Sequence, residues 1–106
     1  MVAGPMAAMM LADQGADVIK IESPHGGDYV RRGGNRRGDF AANFLNNNRN
    51  KRSVVLDLKH PRGVETLLRL CEQADVFVQN FRPGVIERLG LDYETVKAFH
   101  PGVVYG

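Results

Sequence analysis

The sequence predicts an α/β fold, with an open, mainly parallel sheet flanked by helices. The run SVVLDL (53–58) is rich in β-branched residues, Pro61 opens a helical pattern, and VFVQN (76–80) is a second strand-like run. Two strands and a helix within about 27 residues indicate a parallel crossover unit, which is right-handed by the general rule. Because no linker or repeat interrupts the 106 residues, we predict one domain.

A helix and a strand are predicted before this unit. The opening AGPMAAMMLADQ has Pro5 near the first helical turn and Gly15 just past the end, where these residue types are favoured. A strand is expected over 17–22. Residues 23–50 are rich in Gly, Asn and Arg, which predicts a long surface loop with a short helical patch over 40–45.

Shorter elements are predicted after the second strand. The NFRPG segment indicates a turn, followed by one turn of helix to Leu89 and a reversal at Gly90. Asp92 is placed to cap a further short helix. A last strand is expected to begin near Gly102.

Composition excludes several classes of protein without choosing a ligand. A net charge of +2 suits a small phosphorylated molecule but falls short of a nucleic-acid footprint. No leader or long apolar run is present, so we expect a cytoplasmic protein without membrane insertion. The single Cys71 lies on the apolar face of the helix from Pro61 to about Ala74 and is interpreted as packing. The three histidines are too scattered to predict a metal site.

Three segments are candidates for ligand binding. In open parallel sheets, ligands gather where strands end and helices begin, because backbone N–H groups are presented there to anions. That rule selects the AGP opening, the LDLKHP segment and the NFRPG segment, which we expect to lie along one edge.

Two rival ligand classes are weaker. A dinucleotide site would use Gly4 before a helix and Glu22 at the end of the next strand, but only one of the three fingerprint glycines is present. The loop GGDYVRRGGNRRGD carries four arginines, which could contact nucleic-acid phosphates. Asp28 and Asp39 offset part of that charge and aromatic residues are few, so we predict no nucleic-acid partner.

Three long runs resemble one known family. AGPMAAMMLADQGADVIKIE, NRNKRSVVLDLKHPRG and ADVFVQNFRPGVIERLGLDY are similar, in order and spacing, to the class III CoA-transferases, which include formyl-CoA transferase and carnitine CoA-transferase. The resemblance covers nearly the whole chain. It implies that the chain is the N-terminal, CoA-binding part of a Rossmann-like large domain, in a homodimer whose two chains interlock.

The resemblance also implies a reaction. In the family, an Asp carboxylate attacks an acyl-CoA thioester, and CoA passes through an aspartyl thioester to a carboxylic acid acceptor; such covalent steps divide a difficult exchange. That Asp follows the strand beginning near Gly102 by several tens of residues, so no catalytic residue is predicted here. CoA is a substrate, and no separate cofactor is expected.

The family's CoA-binding positions can be transferred to this chain by motif match. They are the backbone of Val2 and Ala3, and Leu56, Lys59, Asn80, Phe81 and Arg88.

Each side chain has a plausible role. Lys59 and Arg88 can neutralise phosphate, Asn80 can donate or accept hydrogen bonds, and Leu56 with Phe81 can offer an apolar surface to adenine. Structural alternatives stay open: Leu56 as core, Lys59 as a solvated charge, and Arg88 as the partner of a nearby acid such as Glu87 or Asp92.

One family position is different in this chain. Family members often have a basic residue directly after the Ile-Lys-Ile-Glu strand, whereas this chain has Ser23. We therefore expect Arg31 or Arg32 to supply that charge.

Two other functions remain as alternatives. The α-methylacyl-CoA racemase branch shares the fold and CoA site, but Asn80, Phe81 and the NRNKRS run (48–53) favour transfer. The chain could also be a non-catalytic fragment that binds CoA or a partner, which the missing Asp would favour.

Overall fold

The computed structural model describes residues 2–106 and forms two compact units. The first extends through Val55 and the second spans Leu56–Gly106. Helices accompany parallel strand pairs in both units, which confirms the predicted α/β class. The single domain expected from the sequence stays a prediction. Over the described residues, no helix is both long and apolar enough to cross a membrane.

The first unit is built on a parallel strand pair. Its elements are α1 (Ala3–Asp13), β1 (Val18–Glu22), a 3-10 turn (Tyr29–Arg32), β2 (Arg36–Arg37), β3 (Phe40–Ala41), α2 (Ala42–Asn48) and β4 (Lys51–Val55). Strands β1 and β4 pair in parallel from Val18 opposite Lys51 to Glu22 opposite Val55. Helix α1 ends as predicted, because Gly15 adopts a φ of 102° and lets Ala16 N–H reach the carbonyl of Leu11.

The NRNKRS run binds the acids of the first motif. Arg49 pairs with Asp13 (Nη2 to Oδ2, 2.6 Å) and Arg52 pairs with Asp17 (2.5 Å), while the hydroxyl of Ser53 donates to Glu22. Asp13 and Asp17 flank the turn between α1 and β1. The first motif and the start of the second, residues 48–55, therefore form one structural module, in which β4 is fixed to the α1–β1 connection.

Lys51 joins the two helices of this unit. Its Nζ donates to the carbonyls of Pro5 and Asn47, both at 2.7 Å, and to Oδ1 of Asn48 at 3.0 Å. Burial lowers the pKa of the amine to about 8, and the charge of Lys20 acts in the same direction. The amine thus ties the first turn of α1 to the end of α2.

The predicted loop over 23–50 contains more regular structure than expected. A small antiparallel pair, β2 with β3, and helix α2 occupy its second half. The helix begins later than the predicted patch and continues to Asn48. It is stabilised because Phe44 is buried and the side-chain amides of Asn47 and Asn48 donate to backbone carbonyls four residues earlier. Few apolar residues mark this helix, so its periodicity was weak in the sequence.

The second unit has its own parallel pair. Its elements are α3 (Pro61–Cys71), β5 (Val76–Phe77), α4 (Val85–Arg88), α5 (Tyr93–Phe99) and β6 (Val104–Tyr105). The rings of Phe77 and Tyr105 stack with centroids 5.0 Å apart, and the Tyr105 hydroxyl donates to the carbonyl of Leu91. Cys71 is buried in the core, as predicted, and burial raises the pKa of its thiol.

Each strand of the predicted crossover unit has a parallel partner of its own. Strand β4 pairs with β1, and β5 pairs with β6; the crossover from β4 to β5 stays a prediction. Strand β4 also ends at Val55 instead of residue 58. The Asp57 side chain accepts the N–H of Lys59, and the Asp57 carbonyl accepts that of His60, so the chain turns immediately after the strand.

Candidate functional site

A groove in the second unit brings two of the predicted binding residues together. Its volume is about 580 Å³. It is lined by Leu58, Lys59, His60, Pro61, Val64, Arg88, Leu89 and Gly90. Lys59 and Arg88, which are 29 positions apart in the sequence, therefore face the same space. The side chains of Leu58, Pro61, Val64 and Leu89 form the apolar part of the wall.

A close backbone contact holds the Lys59 loop. A Cβ atom added to Gly63 in α3 would lie 2.0 Å from the carbonyl oxygen of Asp57. Only glycine lets the first turn of α3 approach the 57–60 turn this closely. The position of Lys59 thus depends on a residue outside the groove.

Helix α3 is capped from within the groove. His60 has extended backbone angles, and its Nδ1 accepts the N–H of Arg62 at 3.2 Å. Pro61 occupies the first helical position, where a missing N–H costs nothing. The residue after Lys59 is therefore the N-cap of α3, and its imidazole contacts the first turn of the helix.

Arg88 is the last residue of α4. That helix begins after Gly84, whose φ of 81° is the left-handed conformation that glycine tolerates. Among the described residues, Arg88 forms no ion pair, so the alternative that it pairs with Glu87 or Asp92 is wrong. Lys59 forms no ion pair there either. Asp92 instead caps α5 by accepting the N–H of Thr95, a hydrogen bond that holds the pKa of Asp92 below its usual range.

The other predicted residues lie outside this groove. Leu56 is half-buried, and Asn80 and Phe81 are exposed just after β5, where the Phe81 N–H donates to Oε1 of Gln79. Val2 and Ala3 are exposed in the first unit, at the start of α1. Their contacts with CoA stay predictions.

Sequence reasoning missed His60 and the apolar wall of the groove. Leu58, Pro61, Val64 and Leu89 line it, whereas the sequence drew attention to Leu56. The signal for His60 was its place between Lys59 and a proline that opens a helix. A residue directly before such a proline is placed to be the N-cap of the helix.

The groove is suited to binding rather than to covalent chemistry. Lys59, Arg88 and His60 offer N–H donors, and none of the eight lining residues has a carboxylate, hydroxyl or thiol side chain. A smaller groove of about 350 Å³ in the same unit is lined by Glu87, Asp92 and Glu94, whose charges would repel phosphate. Over the described part of the chain, no group of His, Cys, Asp or Glu side chains is placed to hold a metal ion.

Comparison with known proteins identifies the family. The model of CoA-transferase family III matches residues 1–106. The succinate–glutarate CoA-transferase of Agrobacterium fabrum is 44% identical over 97% of this chain. The α subunit of the succinyl-CoA–L-malate CoA-transferase of Chloroflexus aurantiacus is 42% identical over 96%.

Solved structures agree with this assignment. A CAIB/BAIF family protein from Brucella suis superposes with a TM-score of 0.89 at 42% identity, covering 98% of this chain and 29% of that protein. Rv3272 from Mycobacterium tuberculosis gives a TM-score of 0.86 at 41% identity, with 99% and 27% coverage. The chain spans 28% and 24% of the length of the two transferases above, about a quarter. The chain belongs to CoA-transferase family III.

Proposed function

We propose that this chain supplies the CoA-binding part of an enzyme that moves CoA from an acyl-CoA thioester to a carboxylic acid. The observation that carries the proposal is the groove that joins Lys59 and Arg88. Its cations suit phosphate, and its apolar wall suits a nucleoside. The relatives named above are CoA-transferases, which favours transfer over the racemase alternative.

The role of these residues is to bind and orient. Two cations that engage no acid in the described structure remain available to a phosphorylated ligand, because no local carboxylate competes for them. Holding the nucleotide end of CoA would position the distant thioester for attack. The attacking carboxylate belongs outside these 106 residues, in keeping with the resemblance.

The proposal extends to the surroundings of the chain. We place it in the Rossmann-like large domain of a cytoplasmic, interlocked homodimer that uses CoA as substrate without a further cofactor. Similarity to the family supports these points. A nucleic-acid or membrane partner is not part of the proposal, and one of the four loop arginines, Arg31, is already bound to Glu22.

Calorimetry with CoA tests the proposal. We expect the folded chain to bind CoA, and Lys59→Ala or Arg88→Ala to weaken binding about tenfold or more, since hydrogen bonds to charged groups contribute about 1.5–3 kcal/mol. Arg69→Ala is the matched control, because Arg69 pairs with Glu65 on the exposed surface of α3. Circular dichroism confirms that each variant is folded.

Two ligand fragments sharpen the test. Adenosine 3′,5′-bisphosphate should compete with CoA, whereas pantetheine, which lacks the nucleotide, should not. Unchanged affinity in both alanine variants, or competition by pantetheine alone, would contradict the placement of the nucleotide in this groove.

A further inference from the structure

His60 lines the same groove as Lys59 and Arg88 but has no role in the function proposed above. Its side chain is exposed, and one of its two ring nitrogens is already committed to the protein. The other nitrogen therefore determines what His60 can offer to a ligand.

The cap fixes the tautomer of the neutral ring. Nδ1 accepts the N–H of Arg62 at 3.2 Å, so it carries no proton. The proton of a neutral imidazole must then be on Nε2, which makes Nε2 a donor. The usual N-cap residues are Ser, Thr, Asp and Asn. His60 differs from them because, while Nδ1 caps the helix, Nε2–H can still donate to a ligand.

The surroundings of that donor select an anionic ligand. Lys59 precedes His60 directly, and Arg88 lines the same groove without a protein acid in the described residues. The nearest acid by sequence, Asp57, uses Oδ1 to accept the N–H of Lys59 and so stabilises the turn. A donor beside two cations, in a groove lined by no acid, is matched by phosphate oxygens.

We propose that His60 is a third phosphate-binding residue of this groove, donating from Nε2–H to a phosphate oxygen of CoA. The inference rests on the proposed function, because it assumes that the nucleotide end of CoA occupies the groove. The phosphate is either the ribose 3′-phosphate or the pyrophosphate, which present the same acceptor chemistry.

The test separates the ligand role from the cap. In His60→Ser, the hydroxyl can still cap α3, because Ser is a good N-cap residue, but it cannot reach as far as Nε2. We expect an unchanged melting temperature and about tenfold weaker CoA binding. Asp92→Ser exchanges one cap for another on α5, outside the groove, and should leave CoA affinity unchanged.

Two further measurements make the outcome decisive. If His60→Ser weakens CoA more than 3′-dephospho-CoA, the 3′-phosphate is the partner; an equal loss assigns the pyrophosphate. The ¹⁵N resonance of His60 Nε2 should also shift on titration with CoA. Unchanged affinity for both ligands in His60→Ser, while Lys59→Ala and Arg88→Ala still weaken binding, would overturn the role of His60 alone. If the Lys59 and Arg88 variants also bind normally, the proposed groove itself is wrong.

Discussion

Arg31 holds the carboxylate of Glu22 through two parallel hydrogen bonds. Nε donates to Oε1 at 2.8 Å and Nη2 to Oε2 at 2.6 Å, while the guanidinium lies 3.9 Å from the ring centroid of Phe44. The Glu22 side chain is 3% exposed. It also accepts the Ser53 hydroxyl and the N–H of Asp28. One buried carboxylate at the end of β1 therefore binds both β4 and the loop that follows β1.

Removing Arg31 should destabilise the first unit. Arg31→Ala leaves a buried carboxylate without its cation, for which the expected loss is about 3 kcal/mol in the free energy of unfolding. Arg52→Ala is the matched control in the same unit, because the Arg52–Asp17 pair is 65% and 70% exposed and should contribute less than about 1 kcal/mol. Urea denaturation followed by circular dichroism measures both. Equal losses in the two variants would contradict a special role for the buried pair.

The same carboxylate should make stability depend on acid. Hydrogen bonds from Arg31 lower the pKa of Glu22 from 4.5 to about 2, although burial opposes the shift. Because the folded pKa is lower than the unfolded one, the stabilisation is present above about pH 4.5 and is lost as the pH falls towards 2. The difference corresponds to about 3 kcal/mol.

Glu22→Gln isolates this contribution from the other acids. Between pH 7 and pH 2.5, the wild-type chain should lose more stability than the variant, in denaturation measured at each pH. Asp13 and Asp28 also have a pKa below the usual range and are present in both proteins. The charge of Glu22 raises the pKa of Asp28, so Asp13 is the acid that titrates alike in the two proteins. Parallel pH profiles for wild type and Glu22→Gln would rule out Glu22 as the acid-sensitive group.

Gly63 should tolerate no side chain. Gly63→Ala would place a methyl group 2.0 Å from the Asp57 carbonyl oxygen, so the 57–60 turn must move, at a cost of about 2 kcal/mol. We also expect weaker CoA binding, because Lys59 lies in that turn. Gly102→Ala is the control, since its nearest contact would be an ordinary 3.5 Å to His100. A Gly63→Ala chain with wild-type melting temperature and CoA affinity would show that the turn is not constrained.

Local patterns were sufficient to predict most elements of the fold. Helix α1 has its proline and its terminal glycine, and α3 begins at Pro61. Strand partners were not predictable in the same way, because β1 and β4 pair across an intervening segment whose regular structure has weak periodicity.

The candidate site was predicted only in part, because several of its contacts depend on the folded backbone. Motif resemblance selected Lys59 and Arg88, and the structure brings both to one groove. The sequence predicted that Asp92 caps a short helix, and the structure confirms it. It did not predict that His60 caps α3, because histidine is not among the favoured N-cap residues. The bidentate pair of Arg31 with Glu22 likewise depends on how the loop returns to β1.

Arg32, rather than Arg31, should supply the charge that the family places after β1. Arg31 is engaged by Glu22, whereas the guanidinium of Arg32 lies against Gly26, in the turn that begins at Ser23. Arg32→Ala should therefore weaken CoA binding about fivefold to tenfold without changing the melting temperature, since an exposed cation contributes to phosphate affinity but little to folding.

Arg36→Ala, on the exposed β2 strand, is the control for a general effect of positive charge and should bind CoA normally. Calorimetry at two salt concentrations measures the difference. Equal affinity in the Arg32 and Arg36 variants would leave the position after β1 without a basic substitute, and CoA binding would then depend on the Lys59–Arg88 groove for its positive charge.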